Sequence, residues 1–204
     1  MITIIDYGMG NIGSVLKALK KIKAEAQISR NIDDIARADK LILPGVGHFK
    51  NGMQKLSELK YMEILESKVI DERTPILGIC LGMQLFARHS DEGDAEGLGW
   101  LNAEVKRFEP DDTQKFKVPH MGWNSVRQAQ ENVLIQSINQ QELFYFVHSY
   151  YVLCHDQEDV LSTTKYEIEF TSAVHRKNIY GTQFHPEKSH DKGLAILSNF
   201  AHRI

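Results

Sequence analysis

Two cysteines in 204 residues, Cys80 and Cys154, are too few for a disulfide framework, and neither belongs to a C-x-x-C pair. A reducing compartment, the cytoplasm, is the expectation. Charge of one sign is also lacking: 24 Lys and Arg stand against 27 Asp and Glu, a formal net charge of −3. The basic residues are spread along the chain, which leaves no electrostatic footprint for nucleic acid. No apolar stretch approaches the ~18 residues a membrane span needs. The first residues lack the basic region and apolar core of a secretion signal. There is no internal repeat, no low-complexity tract and no linker long enough to split domains. Nine histidines are present, but none forms a ligand-pair spacing with the cysteines, so no metal site is expected. A composition with 42% hydrophobic and 25% charged residues fits a single globular domain over 1–204.

What is there begins with alternation. Met1 to Asp6 is a β-branched run and reads as a buried strand, and Ile12 to Lys23 carries apolar residues at helical spacing. A second strand is expected over Ala26 to Ser29 and a third over Leu41 to Leu43, broken at Pro44. Helical patterns follow at Gly52 to Leu59 and Met62 to Asp71. A strand opened by Pro75 then ends at Cys80 and runs into a helix through Met83, Leu85 and Phe86. The order β-α-β-α-β-α predicts an α/β fold with a mostly parallel twisted sheet flanked by helices. Ser90 to Gly99 reads as an acidic, glycine-rich loop. Beyond it the texture becomes that of short strands, at 104–108, 117–120, 123–126, 144–152, 160–165, 170–175 and 179–184, which predicts antiparallel strands added in the C-terminal half. Ser189 to Arg203 closes the chain as an amphipathic helix.

Four stretches carry chemistry. Gly8, Gly10 and Gly13 spell G-x-G-x-x-G after a strand, which suggests a dinucleotide site. The second strand ends in Arg30-Asn31, without the acidic residue such a site needs. A tight turn facing a ligand or partner is the better reading, and no cofactor is expected. Pro44-Gly45-Val46-Gly47 is either a plain turn or a loop whose amides cradle an oxyanion. In Gly78-Ile79-Cys80-Leu81-Gly82 two glycines bracket a cysteine at a strand-to-helix junction, the pattern of a nucleophile elbow. The bland alternative is a buried core cysteine. A cysteine nucleophile needs a base and a group to orient it. His185-Pro186-Glu187 supplies both in an extended segment that sets alternate side chains on one side; alone, it would equally suit a surface His–Glu pair. His148 has no acid nearby and suits a pocket wall.

In this order, Pro44-Gly45-Val46-Gly47, Gly78 to Gln84 and His185-Pro186-Glu187 resemble the class I glutamine amidotransferases. Asp6-Tyr7-Gly8-Met9-Gly10-Asn11, Pro119-His120-Met121-Gly122-Trp123-Asn124 and Phe146-Val147-His148-Ser149-Tyr150 resemble one branch of that family. The resemblance runs from the first strand to the last helix. It implies that Cys80 attacks the carboxamide of L-glutamine, that His185 moves the protons and that Glu187 orients His185. Backbone amides of Val46 and Leu81 would hold the oxyanion, and Gly47, Gln84, Glu92, Ser149 and Tyr150 would bind glutamine. Glu92 is the natural counter-charge for its α-ammonium.

The resemblance also implies a partner, since this chain holds no synthase site of its own. In that branch ammonia passes within a heterodimer to a (β/α)₈-barrel cyclase of histidine biosynthesis. The cyclase makes imidazole glycerol phosphate and an aminoimidazole carboxamide ribotide. Asn11, Trp123, Tyr145 and Lys188 match positions that look towards it, although Trp123 alone would pass as a core aromatic. Paralogues of the branch feed ammonia to the amination of surface-glycan sugars, and the segments 150–154 and 187–193 look at least as much like these. A stand-alone cysteine hydrolase and a catalytically silent scaffold are the readings from other classes. The intact Cys80, His185 and Glu187 set argues against silence.

Overall fold

The β-branched run at the start forms β1 (Ile2–Ile5), all four residues buried, as a strand covered on both faces must be. The computed structural model describes residues 1–136, 138–139 and 141–204. After β1, α1 (Ile12–Lys21) begins at Asn11, whose side chain accepts from the Ser14 N–H at 3.3 Å. β2 (Ala26–Ser29) runs parallel to β1. A short helix follows, α2 (Ile32–Ala36), capped by the Asn31 side chain, which accepts the Asp33 N–H. β3 (Lys40–Gly45) lies on the other side of β1. Then come α3 (Phe49–Glu58), α4 (Tyr61–Glu66) with a π-helical continuation over Ser67–Asp71, β4 (Ile76–Cys80) and the single turn α5 (Leu81–Gln84).

The remaining strands are β5 (His89–Ser90), β6 (Ala95–Glu96), β7 (Ala103–Arg107), β8 (His120–Ser125), β9 (Arg127–Gln128), β10 (Leu143–His148), β11 (Tyr150–Cys154), β12 (Val160–Tyr166), β13 (Ile168–Arg176) and β14 (Ile179–Thr182), before α6 (His190–Arg203). The large sheet has the order β2-β1-β3-β4-β14-β13-β11-β7-β5-β6, with β12 and β9 branching from β13. Its first five strands are parallel, and the extension from β13 is antiparallel except where β5 runs parallel to β7. β8 and β10 form a separate antiparallel pair. Period-2 alternation splits the core: Ile5, Leu41, Leu43 and Ile76 pack against α2 to α4, while Ile2, Ile4, Ile42, Leu77 and Ile79 pack against α1 and α6. Lys40 ties α6 down by donating to the carbonyls of Phe200 and Ala201, at 3.1 and 2.7 Å, a favourable place for a cation.

Four expectations are corrected here. β3 does not break at Pro44 but continues to Gly45. The Leu41 N–H points to the β4 side, so the nitrogen of Pro44 faces β1, whose pairing has ended at Ile42, and no ladder bond is lost. The helix after Cys80 stops at Gln84 because the carbonyls of Leu85, Phe86 and Ala87 are taken by the N–H groups of Leu98, Leu101 and Gly99. The expected strand over 144–152 is two strands divided at Ser149, and the acidic loop contains the small β5–β6 pairing.

Close approach of α5 to β3 rests on one residue: a Cβ on Gly82 would run into the Leu43 carbonyl oxygen. Backbone on both sides leaves little room to yield. Gly82→Ala is therefore expected to cost about 1–3 kcal/mol or more. Thermal unfolding followed by circular dichroism should show a loss of several degrees; an unchanged melting temperature would contradict the packing described.

Candidate active site

Along β4 the side chains of Leu77 and Ile79 fall on the α1/α6 face, and strict alternation would send Cys80 to the other one. Instead Cys80 joins them, because its backbone turns to φ 54° and ψ −110°. A non-glycine residue held there costs on the order of 1–3 kcal/mol and persists only where packing dictates it. Gly78 supplies part of that packing: its missing Cβ would stand 2.6 Å from the Met83 nitrogen and from the Phe86 ring. The elbow is real, and it is built by the two glycines that flagged it.

Gly45 stands directly opposite Cys80 in the β3–β4 register, which sets Val46 and Gly47 beside the sulfur. Gly47 has φ +112°, a conformation suited to glycine. A Cβ on Gly45 would stand only 2.5 Å from the Tyr7 hydroxyl. A Cβ on Gly10 of the first turn would stand 3.2–3.3 Å from backbone atoms of Pro44 and Gly45, so the glycine-rich start of the chain lies close against this loop. Leu81 opens α5, a position whose N–H has no acceptor within its own helix.

β14 pairs with β4, Thr182 opposite Ile79, and three residues later His185 arrives behind Cys80. The segment is not extended throughout as expected: Pro186–Lys188 forms a 3₁₀ turn, which swings Glu187 round to His185. Glu187 Oε1 lies 2.9 Å from His185 Nδ1, with the two side chains only 1% and 2% exposed. His185 Nε2 and Glu187 Oε2 are buried without a hydrogen-bond partner. Burial favours the neutral imidazole, but the Cys80 sulfur and then Glu187 outweigh it and raise its pKa to about 9. At neutral pH the ring is thus protonated beside the Cys80 sulfur.

A cavity of about 360 Å³ opens over the sulfur, lined by Val46, Gly47, Cys80, Leu81, Gln84, Glu92, Pro119, Val147, His148, Ser149 and Tyr150. All five expected glutamine-binding residues line it, as do both expected oxyanion residues. His148 is a wall, as its sequence context suggested. Pro119 and Val147 were not singled out; apolar residues next to the motifs carried no signal of their own. Glu92 Oε2 accepts the Phe49 N–H at 2.7 Å, so a carboxylate at the start of α3 also faces the cavity. Among the described residues no group of three or more His, Cys, Asp or Glu is arranged to hold a metal ion.

The four residues expected to face a partner lie on one side. Trp123 pairs with Tyr145 across β8 and β10, their rings edge-on at 5.9 Å. Lys188 Nζ sits 5.5 Å from the centre of the Tyr145 ring. Trp123 also stacks on His190 at 4.9 Å, yet remains 45% exposed. Asn11 begins α1, which packs on the Pro186–Lys188 turn.

An elbow cysteine, an imidazolium–carboxylate pair and a glycine loop at the carboxyl ends of parallel strands are an arrangement suited to thiol-dependent acyl transfer. The family model for glutamine amidotransferase class-I matches residues 3–204, and the chain belongs to that family. Similar chains include the "imidazole glycerol phosphate synthase subunit HisH 2" of Methanococcus maripaludis, 52% identical with 98% of both chains covered. The protein of the same name from Pseudomonas aeruginosa is 47% identical over the whole of both chains. The HisH subunit of Leptospira borgpetersenii is 44% identical, covering 98% of this chain and 99% of its own. The PurLQS structure from Thermotoga maritima contains the same fold, with a TM-score of 0.70 at 15% identity over 98% of this chain and 96% of that one.

His185 is expected to keep its proton up to about pH 9, and Cys80→Ala to lower that point because the sulfur is its largest favourable neighbour. The sign follows: an affinity above the ordinary 6.5 stabilises the folded chain fully below about pH 6.5 and is lost as pH rises through about 9. Imidazole resonances followed by NMR against pH provide the check. A native inflection at or below 6.5 would refute a protonated His185 beside the sulfur.

Proposed function

We propose that this chain is the glutaminase subunit of an imidazole glycerol phosphate synthase, folded as one domain over 1–204 and working in the cytoplasm. The observation that carries the chemistry is the line Cys80–His185–Glu187 behind a cavity of about 360 Å³. Two unpaired buried cysteines suit a reducing compartment. The acceptor reaction rests on the relatives, which carry that synthase's name at 44–52% identity over nearly their full lengths.

The sulfur of Cys80 attacks the side-chain carboxamide carbon of L-glutamine. Negative charge moves to the carbonyl oxygen, where the amides of Val46 and Leu81 receive it; losing one such donor typically costs ~100- to 1,000-fold in rate. The proton on His185 Nε2 goes to the leaving nitrogen, the C–N bond breaks, and ammonia departs, leaving a glutamyl thioester. Water then enters, gives a proton to His185 and adds to the thioester carbon; glutamate leaves and the thiolate returns. Glu187 holds Nδ1 throughout, so that Nε2 is the nitrogen that exchanges protons. Gly47, Gln84, Ser149 and Tyr150 shape the cavity for glutamine, and Glu92 meets its α-ammonium. The ammonia passes to a (β/α)₈-barrel cyclase seated over Asn11, Trp123, Tyr145 and Lys188.

Two outcomes follow. Cys80→Ala should abolish glutamine-dependent formation of imidazole glycerol phosphate by the complex and spare formation from ammonium salts. Loss of both would sink the division of labour, while failure of the native complex to make this product from glutamine would return the question to the sugar-modifying alternative. Trp123→Ala should weaken cyclase binding by about 1–3 kcal/mol, as an exposed aromatic anchor does. Titration calorimetry showing native affinity would move the interface elsewhere.

A further inference from the structure

The main-chain oxygen of Tyr150 accepts two side-chain hydrogen bonds, from Gln84 Nε2 at 2.9 Å and from His148 Nδ1 at 2.7 Å. A carbonyl can only accept, so both groups must present N–H to it, and that decides what each offers at its far end. The Gln84 nitrogen that bonds Tyr150 is also 3.0 Å from the amide of Gln183. The atom it meets there has to be the Gln183 oxygen. The Gln183 nitrogen then faces the Cys80 sulfur, 3.6 Å away. No amide in this path is free to flip, because a backbone atom sets the direction. Gln84 and Gln183 are both buried, so water does not compete.

The other path from Tyr150 is set in the same way. His148 donates from Nδ1, so its Nε2 accepts from His120 Nδ1 at 3.0 Å. His120 Nε2 in turn accepts from the Asn124 amide at 3.3 Å, which also donates to the Lys165 carbonyl at 3.0 Å. Both rings are neutral in this arrangement. Burial lowers His120 to about 4 and, with His120 beside it, His148 to about 3. One hydrogen-bonded path therefore joins Asn124, the neighbour of Trp123 on β8, to the reacting sulfur.

We propose that Gln183 is a catalytic residue that holds the Cys80 thiolate, its amide N–H donating to the sulfur once the thiol proton has moved to His185. This rests on Cys80 being the nucleophile. One acceptor and one donor beside the sulfur divide the work. As a thiol, Cys80 donates to the Val147 carbonyl at 3.9 Å. When the proton passes to His185 Nε2 and the electron pair stays on sulfur, that carbonyl repels the charge and the Gln183 N–H receives it. A hydrogen bond to an ionised acceptor is roughly twice as strong as one between neutral groups. A neutral amide does this without burying another charge and without competing with His185 for the proton. Gln84 has the matching task of positioning Gln183.

Two variants test it. Gln183→Met removes the donor, and Gln183→Glu keeps the shape while placing acceptor oxygens against the sulfur. Alkylation of Cys80 by iodoacetamide, quantified on its peptide by mass spectrometry, should slow about tenfold at pH 7 in Gln183→Met and further in Gln183→Glu. The deficit should close as pH rises towards 10, and kcat for glutamine hydrolysis in the complex should fall with KM within about twofold. Native alkylation rates at pH 7, or a deficit equal at every pH, would overturn the proposal. Should neither variant fold, the native chain decides: the Gln183 side-chain amide proton should move downfield as Cys80 ionises, and a fixed resonance would overturn it equally. If alkylated Cys80 left glutamine hydrolysis intact, the nucleophile assignment would fall; if alkylation abolished hydrolysis while the variants alkylated as the native chain does, this inference alone would fail.

Discussion

Cys80 at φ 54° is the constraint on which the rest of this structure depends. A strand that ends in a left-handed residue must be followed at once by a change of direction, and the following turn has to fit against the neighbouring strand. That requires no side chain at Gly82, where the Leu43 carbonyl already stands, and none at Gly78 under Met83 and Phe86. It also requires β3 to reach as far as Gly45, opposite Cys80. Strand pairing on the other side, β4 with β14, then brings His185 to the same place. The site sits at the carboxyl ends of parallel strands, where such sheets leave a crevice. Much of the remaining chain holds those three strands in register.

Stored strain needs a surrounding that does not relax. The core on either side of the parallel sheet supplies it with side chains in strict alternation, Leu41 and Leu43 to one layer, Ile42 to the other. Polar groups complete the job on the cavity side. Tyr150 offers both lone pairs of one carbonyl to Gln84 and His148, and the aromatic rings of Phe108, Phe146 and Phe170 surround the two histidines. A fully satisfied buried network of this kind rigidifies what it touches. Here it touches Ser149 and Tyr150 at the cavity wall and Gln183 at the sulfur.

Fold and site were legible in the sequence to different degrees, for physical reasons. Strands buried on both faces, such as Ile2–Ile5 and Ile76–Cys80, announce themselves as apolar runs, and Ala26–Ser29 was bounded by charged and polar residues. The elbow was legible because its glycines are sterically required. Pro44 misled, since a proline ends a strand only where its missing N–H would have been used. The extent of α5 was not readable, because its end is set by N–H groups of residues 98–101 bonding to carbonyls of residues 85–87. The 3₁₀ turn at Pro186 replaced an extended segment yet delivered the same His–Glu contact. Gln183 carried no signal, being a buried glutamine next to a conspicuous motif, and only its partners in space distinguish it.

Among the described residues, three buried side-chain atoms lack a hydrogen-bond partner: Tyr7 Oη, His185 Nε2 and Glu187 Oε2. Each such atom costs about 1–3 kcal/mol, so their distribution matters. They are not scattered. His185 and Glu187 lie behind the Cys80 sulfur, and Tyr7 lies against Gly45 opposite it, its hydroxyl held in the neutral form chiefly by burial. Elsewhere in the core, polar side chains such as Ser162 with Ser172, or Asn178 with the carbonyls of Val69 and Thr74, are bonded. A chain that satisfies buried groups elsewhere and leaves them open around one sulfur has put its unmade bonds where charge and protons move in the proposed acyl transfer. In that proposal Nε2 of His185 has to be free of a fixed partner to take a proton and pass it on; a permanent bond there would stabilise the fold and slow the reaction.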